Sequence, residues 1–76
     1  MVKILSDLKK GEKGIIRKVS GDDGCQRRLR EMGFIRNTEV HVEKFAPLRD
    51  PIEVVIMGYH LSLRREEASQ VLVEVN

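Results

Sequence analysis

The sequence predicts a mainly β fold: a small, closed or nearly closed barrel of five short strands, with one short helix between the first two strands and a one-turn helix before the last. Three observations carry that prediction. Apolar and polar residues alternate over short stretches, each bounded by glycine, proline, asparagine or aspartate. Only one stretch, Asp22 to Phe34, has a full helix grammar. The chain has 76 residues, one domain's worth, and a chain that short buries only about 60–65% of its unfolded surface. Five strands cannot then form two packed sheets of normal size, and closure into a barrel removes their exposed edges.

Ser6-Asp7-Leu8-Lys9-Lys10-Gly11 reads as one capped turn, pinned by Leu5 and Leu8 and stopped by Gly11. Gly14 opens the first strand, Ile15 to Val19. Ile15 and Val19 share a parity with Arg17 while Ile16 falls on the other face, so a bulge or strong bend is expected. Ser20-Gly21-Asp22-Asp23-Gly24 is a turn cluster leading into the helix. Asp22 or Asp23 caps its start, and Asp23 with Gln26 has the spacing of a capping box. Cys25, Leu29 and Met32 recur at i, i+4 and i+7 and form a buried stripe. Gly33 takes the left-handed position that ends the helix, with Phe34 and Leu29 as the contact pair of a Schellman cap.

Arg36-Asn37-Thr38 is a tight connection, with Asn37 left-handed. Thr38 to Phe45 is the second strand, with Val40 and Val42 inward. Phe45 falls on the polar parity, so it is either re-aimed by a bulge or exposed. In Ala46-Pro47-Leu48-Arg49-Asp50-Pro51 two prolines restrict themselves and the residues before them, which predicts an extended, stiff loop. Ile52 to Met57 is the third strand. Gly58-Tyr59 fits a two-residue hairpin turn of type II′. His60 to Arg64 is the fourth strand, with Leu61 and Leu63 inward. Arg65 to Ser69 holds no more than one helical turn, and Val71 to Val75 is the fifth strand. Such a barrel, with the helix plugging one end, is SH3-like.

The bulk properties exclude several classes of function. Net charge is +2, too near neutral to demand a nucleic acid partner. The single cysteine, Cys25, excludes an intramolecular disulfide and a multi-cysteine zinc site and suits a reducing cytoplasm. No signal peptide or apolar run long enough to span a bilayer is expected. The glycines match neither phosphate-binding pattern. Cys25 reads as a small core residue and not as a nucleophile, and nothing points to an enzyme or a cofactor. His41 and His60 are the metal-ligand candidates. Both have outward parity and would need carboxylates such as Glu39, Glu43 or Glu53 to complete a site.

Two surface features remain. Arg27, Arg28, Arg30 and Arg36 lie within ten residues and could meet an acidic partner or a phosphate backbone. Phe45, Val55 and Met57 are apolar at outward parity, with Leu48 in the loop and Tyr59 nearby. One patch beside the proline loop would suit a peptide or protein.

In Leu5-Ser6-Asp7-Leu8-Lys9-Lys10-Gly11-Glu12, Arg28-Leu29-Arg30-Glu31-Met32-Gly33-Phe34 and Ala46-Pro47-Leu48-Arg49-Asp50-Pro51-Ile52, together with Leu61-Ser62-Leu63-Arg64, the chain resembles the FeoA family. The resemblance runs over nearly the whole chain. It implies an SH3-fold barrel and a small, non-enzymatic, cytoplasmic accessory of ferrous iron uptake that binds the GTPase-bearing part of the FeoB transporter. Arg28, Pro47, Leu48 and Asp50 stand at matching positions as partner contacts. Arg27 and Phe45 join them on the surface argument alone. Leu29, Met32 and Gly33 fall in the helix motif, whose first role is packing. The competing expectations are a nucleic-acid-binding module using the arginine face, a ferrous-iron-binding or delivery protein using His41 and His60, and a homo-oligomer formed through outward apolar residues.

Overall fold

The computed structural model describes residues 1–76. Six strands, β1 (Val2–Ile4), β2 (Lys13–Val19), β3 (Glu39–Phe45), β4 (Ile52–Ile56), β5 (Tyr59–Leu63) and β6 (Val71–Glu74), form one antiparallel sheet in the order β1-β6-β2-β3-β4-β5. Helix α1 (Asp23–Glu31) joins β2 to β3, and α2 (Arg65–Ala68) joins β5 to β6. A 3-10 turn, Leu5–Asp7, and a tight turn over Pro47–Arg49 whose backbone is not helical at Leu48 complete the layout. No helix is long and apolar enough to cross a membrane.

The predicted class holds, with one more strand than expected. β1 pairs with β6 through Lys3 opposite Val73, and Val73 is fully buried. The inward position of this three-residue strand is therefore a lysine, while Val2 and Ile4 face out. So short a strand with an inverted pattern leaves no alternation signal.

The core consists of apolar side chains only. Val40 and Val42 of β3, Ile52, Val54 and Ile56 of β4, and Val71 and Val73 of β6 converge on Leu5, Leu8, Leu29 and Phe34. No polar side chain is buried. In β2 the inward residue is Ile16, and the register slips between Ile16 and Lys18, which is the expected bulge. A Cβ on Gly14 would stand 2.8 Å from the Glu74 carbonyl oxygen on β6, so β2 and β6 approach closely only because that residue has no side chain. Gly14→Ala is expected to cost about 1–3 kcal/mol, read as a lowered melting temperature. An unchanged melt would mean the two strands can part without loss.

α1 starts on Asp22, whose carboxylate accepts the Cys25 amide at 2.8 Å. The expected capping box does not form. Asp23 is already the first helical residue, and the Gln26 side chain donates instead to the Gly21 carbonyl. The C-terminus follows the expected cap. The Gly33 amide donates to Arg30 and the Phe34 amide to Leu29, with Gly33 at φ 106°. Of the predicted stripe only Leu29 is fully buried; Cys25 and Met32 are half-buried against the core.

A second register shift, between Val42 and Lys44, turns Phe45 toward Ile52 and against the core. Of the two outcomes left open for Phe45, the bulge is the one realised. The β4–β5 turn is Met57-Gly58, one residue earlier than predicted. Ile56 stands opposite Tyr59, and Met57 and Gly58 have φ of 51° and 81°, a type I′ turn. Both registers keep the same face inward, so pattern could not separate them. The observed one sets Ile52 against Leu63 and avoids a contact with Arg65.

Candidate functional site: the proline turn and its supports

The segment between β3 and β4 is not extended. Phe45 pairs with Ile52, so the six intervening residues must reverse the chain. The prolines restrict Ala46, Pro47, Asp50 and Pro51 but leave Leu48 and Arg49 free. Those two take left-handed conformations, φ 64° and 62°. The Ala46 amide donates to the Pro51 carbonyl at 3.0 Å and the Arg49 amide to the Ala46 carbonyl at 2.9 Å. Leu48 is left at the tip, 92% exposed.

Arg49 anchors this turn. Its guanidinium lies 4.1 Å from the centroid of the Phe45 ring, within cation–π range. Its Nη2 donates to the carbonyls of Ser6 and Leu8 at 3.1 and 3.3 Å. The receiving segment is itself fixed. The Glu12 carboxylate accepts the Lys9 amide at 2.8 Å and pairs with the Lys3 ammonium at 3.4 Å. Those two partners, the Lys9 amide foremost, outweigh desolvation and hold the Glu12 carboxyl below its ordinary 4.5. A carboxylate whose pKa is depressed by folding contributes stability above its unfolded pKa and loses it as pH falls through the folded value. The melting temperature is therefore expected to drop below pH 4.5. Glu12→Gln should lower the melt at neutral pH and flatten the acid limb. Parallel acid limbs in the two proteins would contradict this.

α2 joins the turn to α1. Asp50 Oδ1 accepts the Arg65 amide at the start of α2 at 3.1 Å. Glu67, in the same short helix, accepts the Arg64 amide at 3.0 Å through Oε1 and pairs with Arg28 of α1 through Oε2. The Glu67 side chain is only 13% exposed, so the pair is better sheltered than an ordinary surface bridge.

The expected contact residues thus separate by role. Pro47 and Leu48 are exposed on one rigid turn. Asp50 and Arg28 sit at the surface, but their polar groups are engaged with α2. Phe45 is half-buried beneath Arg49, and Arg27 is exposed with no ion pair. Arg49 and Glu67 were not among the expected site residues. The signal for Arg49 was its place between two prolines, where its side chain folds back over the preceding strand. Glu67 read as a helix-start charge and gave no sign of its bond to α1. The outward apolar residues do not form one patch. Leu48 precedes β4, whereas Met57 follows it and Tyr59 pairs with Ile56 at its far end, with Met57 Sδ over Gly33.

His41, Val55 and His60 form one row across β3, β4 and β5. The histidines are two strand spacings apart, about 10 Å between backbones, with Val55 between them. His60 Nδ1 lies 3.1 Å from Glu43. No group of three or more His, Cys, Asp or Glu side chains is placed to hold a metal ion.

Residues 3–75 match the model of the FeoA domain family. The chain is 42% identical over 71 residues, 93% of its length, to an Fe(2+) transport protein A/Fe(2+) transporter FeoB fusion protein of Porphyromonas gingivalis, and it spans 8% of that protein. The solution structure of FeoA from Chlorobium tepidum is similar at TM-score 0.88 and 38% identity, covering 96% of this chain and 70% of that one. The zinc-complexed FeoA of Stenotrophomonas maltophilia, described as an SH3 domain protein, is similar at TM-score 0.80 and 31% identity, covering 97% and 89%. With its six-stranded sheet, its inserted helix and a match over nearly every residue, this chain belongs to the FeoA family.

Proposed function

We propose that this chain is a non-enzymatic accessory of ferrous iron uptake that binds the cytoplasmic, GTPase-bearing side of an FeoB-type transporter through the Pro47–Asp50 turn. The observation that carries the proposal is Leu48, 92% exposed on a turn whose backbone is closed by its own hydrogen bonds. An exposed aliphatic side chain on a rigid support loses little conformational freedom when it enters a pocket. Arg49 and Asp50 hold the turn from both sides, and Arg27 adds an unpaired charge on α1, which is tied to the turn through α2. The fusion of the two modules in the Porphyromonas protein supports association with the transporter.

The test is binding of the chain to a full-length FeoB-type transporter in lipid nanodiscs, followed by interferometry, with GTP hydrolysis measured in parallel. Saturable binding that Leu48→Glu removes is expected. No saturable binding at tens of micromolar, or binding that Leu48→Glu leaves intact, would overturn the proposal.

A further inference from the structure

β2 has two halves with different neighbours. Lys13 to Ile15 pair with β3, and Ile16 still exchanges hydrogen bonds with Asn37 and Thr38. Beyond the bulge β2 has β6 on one side and no strand on the other. The Ser20 amide bonds Gln70 on the β6 side, so alternation turns the backbone groups of Val19 to the open side. Between that open edge and residues 34–36 lies a groove of about 330 Å³.

Four cations line it, Arg17, Lys18, Arg30 and Arg36, and no carboxylate does. Arg17 is held loosely by Glu74 at 3.7 Å, and Arg30 by the neutral Gln26 at 3.3 Å. Lys18 and Arg36 have no ion pair. The rest of the lining is apolar: half-buried Val19, buried Phe34 and half-exposed Ile35. Like charges gathered in a concave site raise the local positive potential and attract anions.

We propose that this groove docks an extended, acidic segment of a protein partner, carboxylates meeting the four cations and an aliphatic side chain resting on Val19 and Ile35. A single-stranded nucleic acid would need exposed rings to stack on. Here the only ring is that of Phe34, which is fully buried, and an apolar floor gives nothing to a phosphate backbone. An added strand, by contrast, uses both the free backbone edge and alternating side-chain pockets. The groove uses no residue of the Pro47–Asp50 turn, so the inference stands apart from that assignment.

The experiment is fluorescence anisotropy of the full chain with a labelled peptide of alternating glutamate and valine, at low and moderate salt. A labelled single-stranded oligonucleotide and vesicles of phosphatidylcholine with phosphatidylglycerol serve as competing probes. Saturable peptide binding is expected, weakened at least about tenfold by Lys18→Glu with Arg36→Glu. It should be nearly unchanged by Lys9→Glu with Lys10→Glu, which makes the same change in net charge elsewhere. Circular dichroism melts establish that both variants fold. Should one not fold, amide shifts of the unmodified chain on adding peptide are expected to concentrate at 17–19 and 34–36. Absence of peptide binding at low salt overturns the proposal. So does equal loss in both variants, shifts elsewhere, or stronger binding of the oligonucleotide or vesicles at the same residues.

Discussion

Leu48→Glu is expected to weaken association with an FeoB-type transporter at least about tenfold, or ~1.4 kcal/mol, while moving the melting temperature by no more than a few degrees. The two halves of that expectation have different causes. Leu48 is 92% exposed and belongs to no core cluster, so the folded state loses no apolar contact with it. Its conformation is fixed by its neighbours, the Ala46–Pro51 and Arg49–Ala46 hydrogen bonds and the Arg49 side chain over Phe45. A glutamate on the same support would carry a charge into whatever apolar pocket accepts leucine, and burying an unpaired charge is costly. Arg49→Ala should act differently. It removes the clamp to Ser6 and Leu8 and should lower both binding and stability.

Leu29→Ala is expected to cost about 2–5 kcal/mol. A domain of this size holds a net stability of only roughly 3–5 kcal/mol, so the variant should lose most of its stability margin. Its melt should fall by about 8 °C or more, given about 4–8 °C per kcal/mol. Leu29 is the one fully buried residue of α1, and its carbonyl also accepts the Phe34 amide that closes the helix. Met32→Ala should cost clearly less, because Met32 is only half-buried. Urea titration of both variants checks the order. A Leu29→Ala protein that melts within a few degrees of the parent would mean α1 is not anchored through the core.

The elements with strong alternation or a full capping grammar were legible in the sequence. Val40 and Val42, Ile52, Val54 and Ile56, and the Asp22-to-Gly33 helix all stand where pattern placed them. β1 was not legible, because its inward residue is a lysine that earns its place by pairing with Glu12. The turn at Met57-Gly58 was misplaced by one residue because both registers bury the same face. Proline rules described what four residues of the 46–51 segment could do. They did not describe what the paired strand ends required of Leu48 and Arg49. The family resemblance was legible in short motifs. The supports of the turn were not, since Asp50 to Arg65 and Arg28 to Glu67 are contacts between residues distant in sequence.

In the proposed function, the Pro47–Asp50 turn is the face that meets the transporter. Site-specific photocrosslinking tests it most directly: a photoreactive residue at position 48, and in separate proteins at 10 and 57, irradiated with the full-length transporter in nanodiscs. A covalent adduct is expected from position 48 on a cytoplasmic segment of the transporter, and none from position 10. An adduct from 57 or 10 with none from 48 would contradict it.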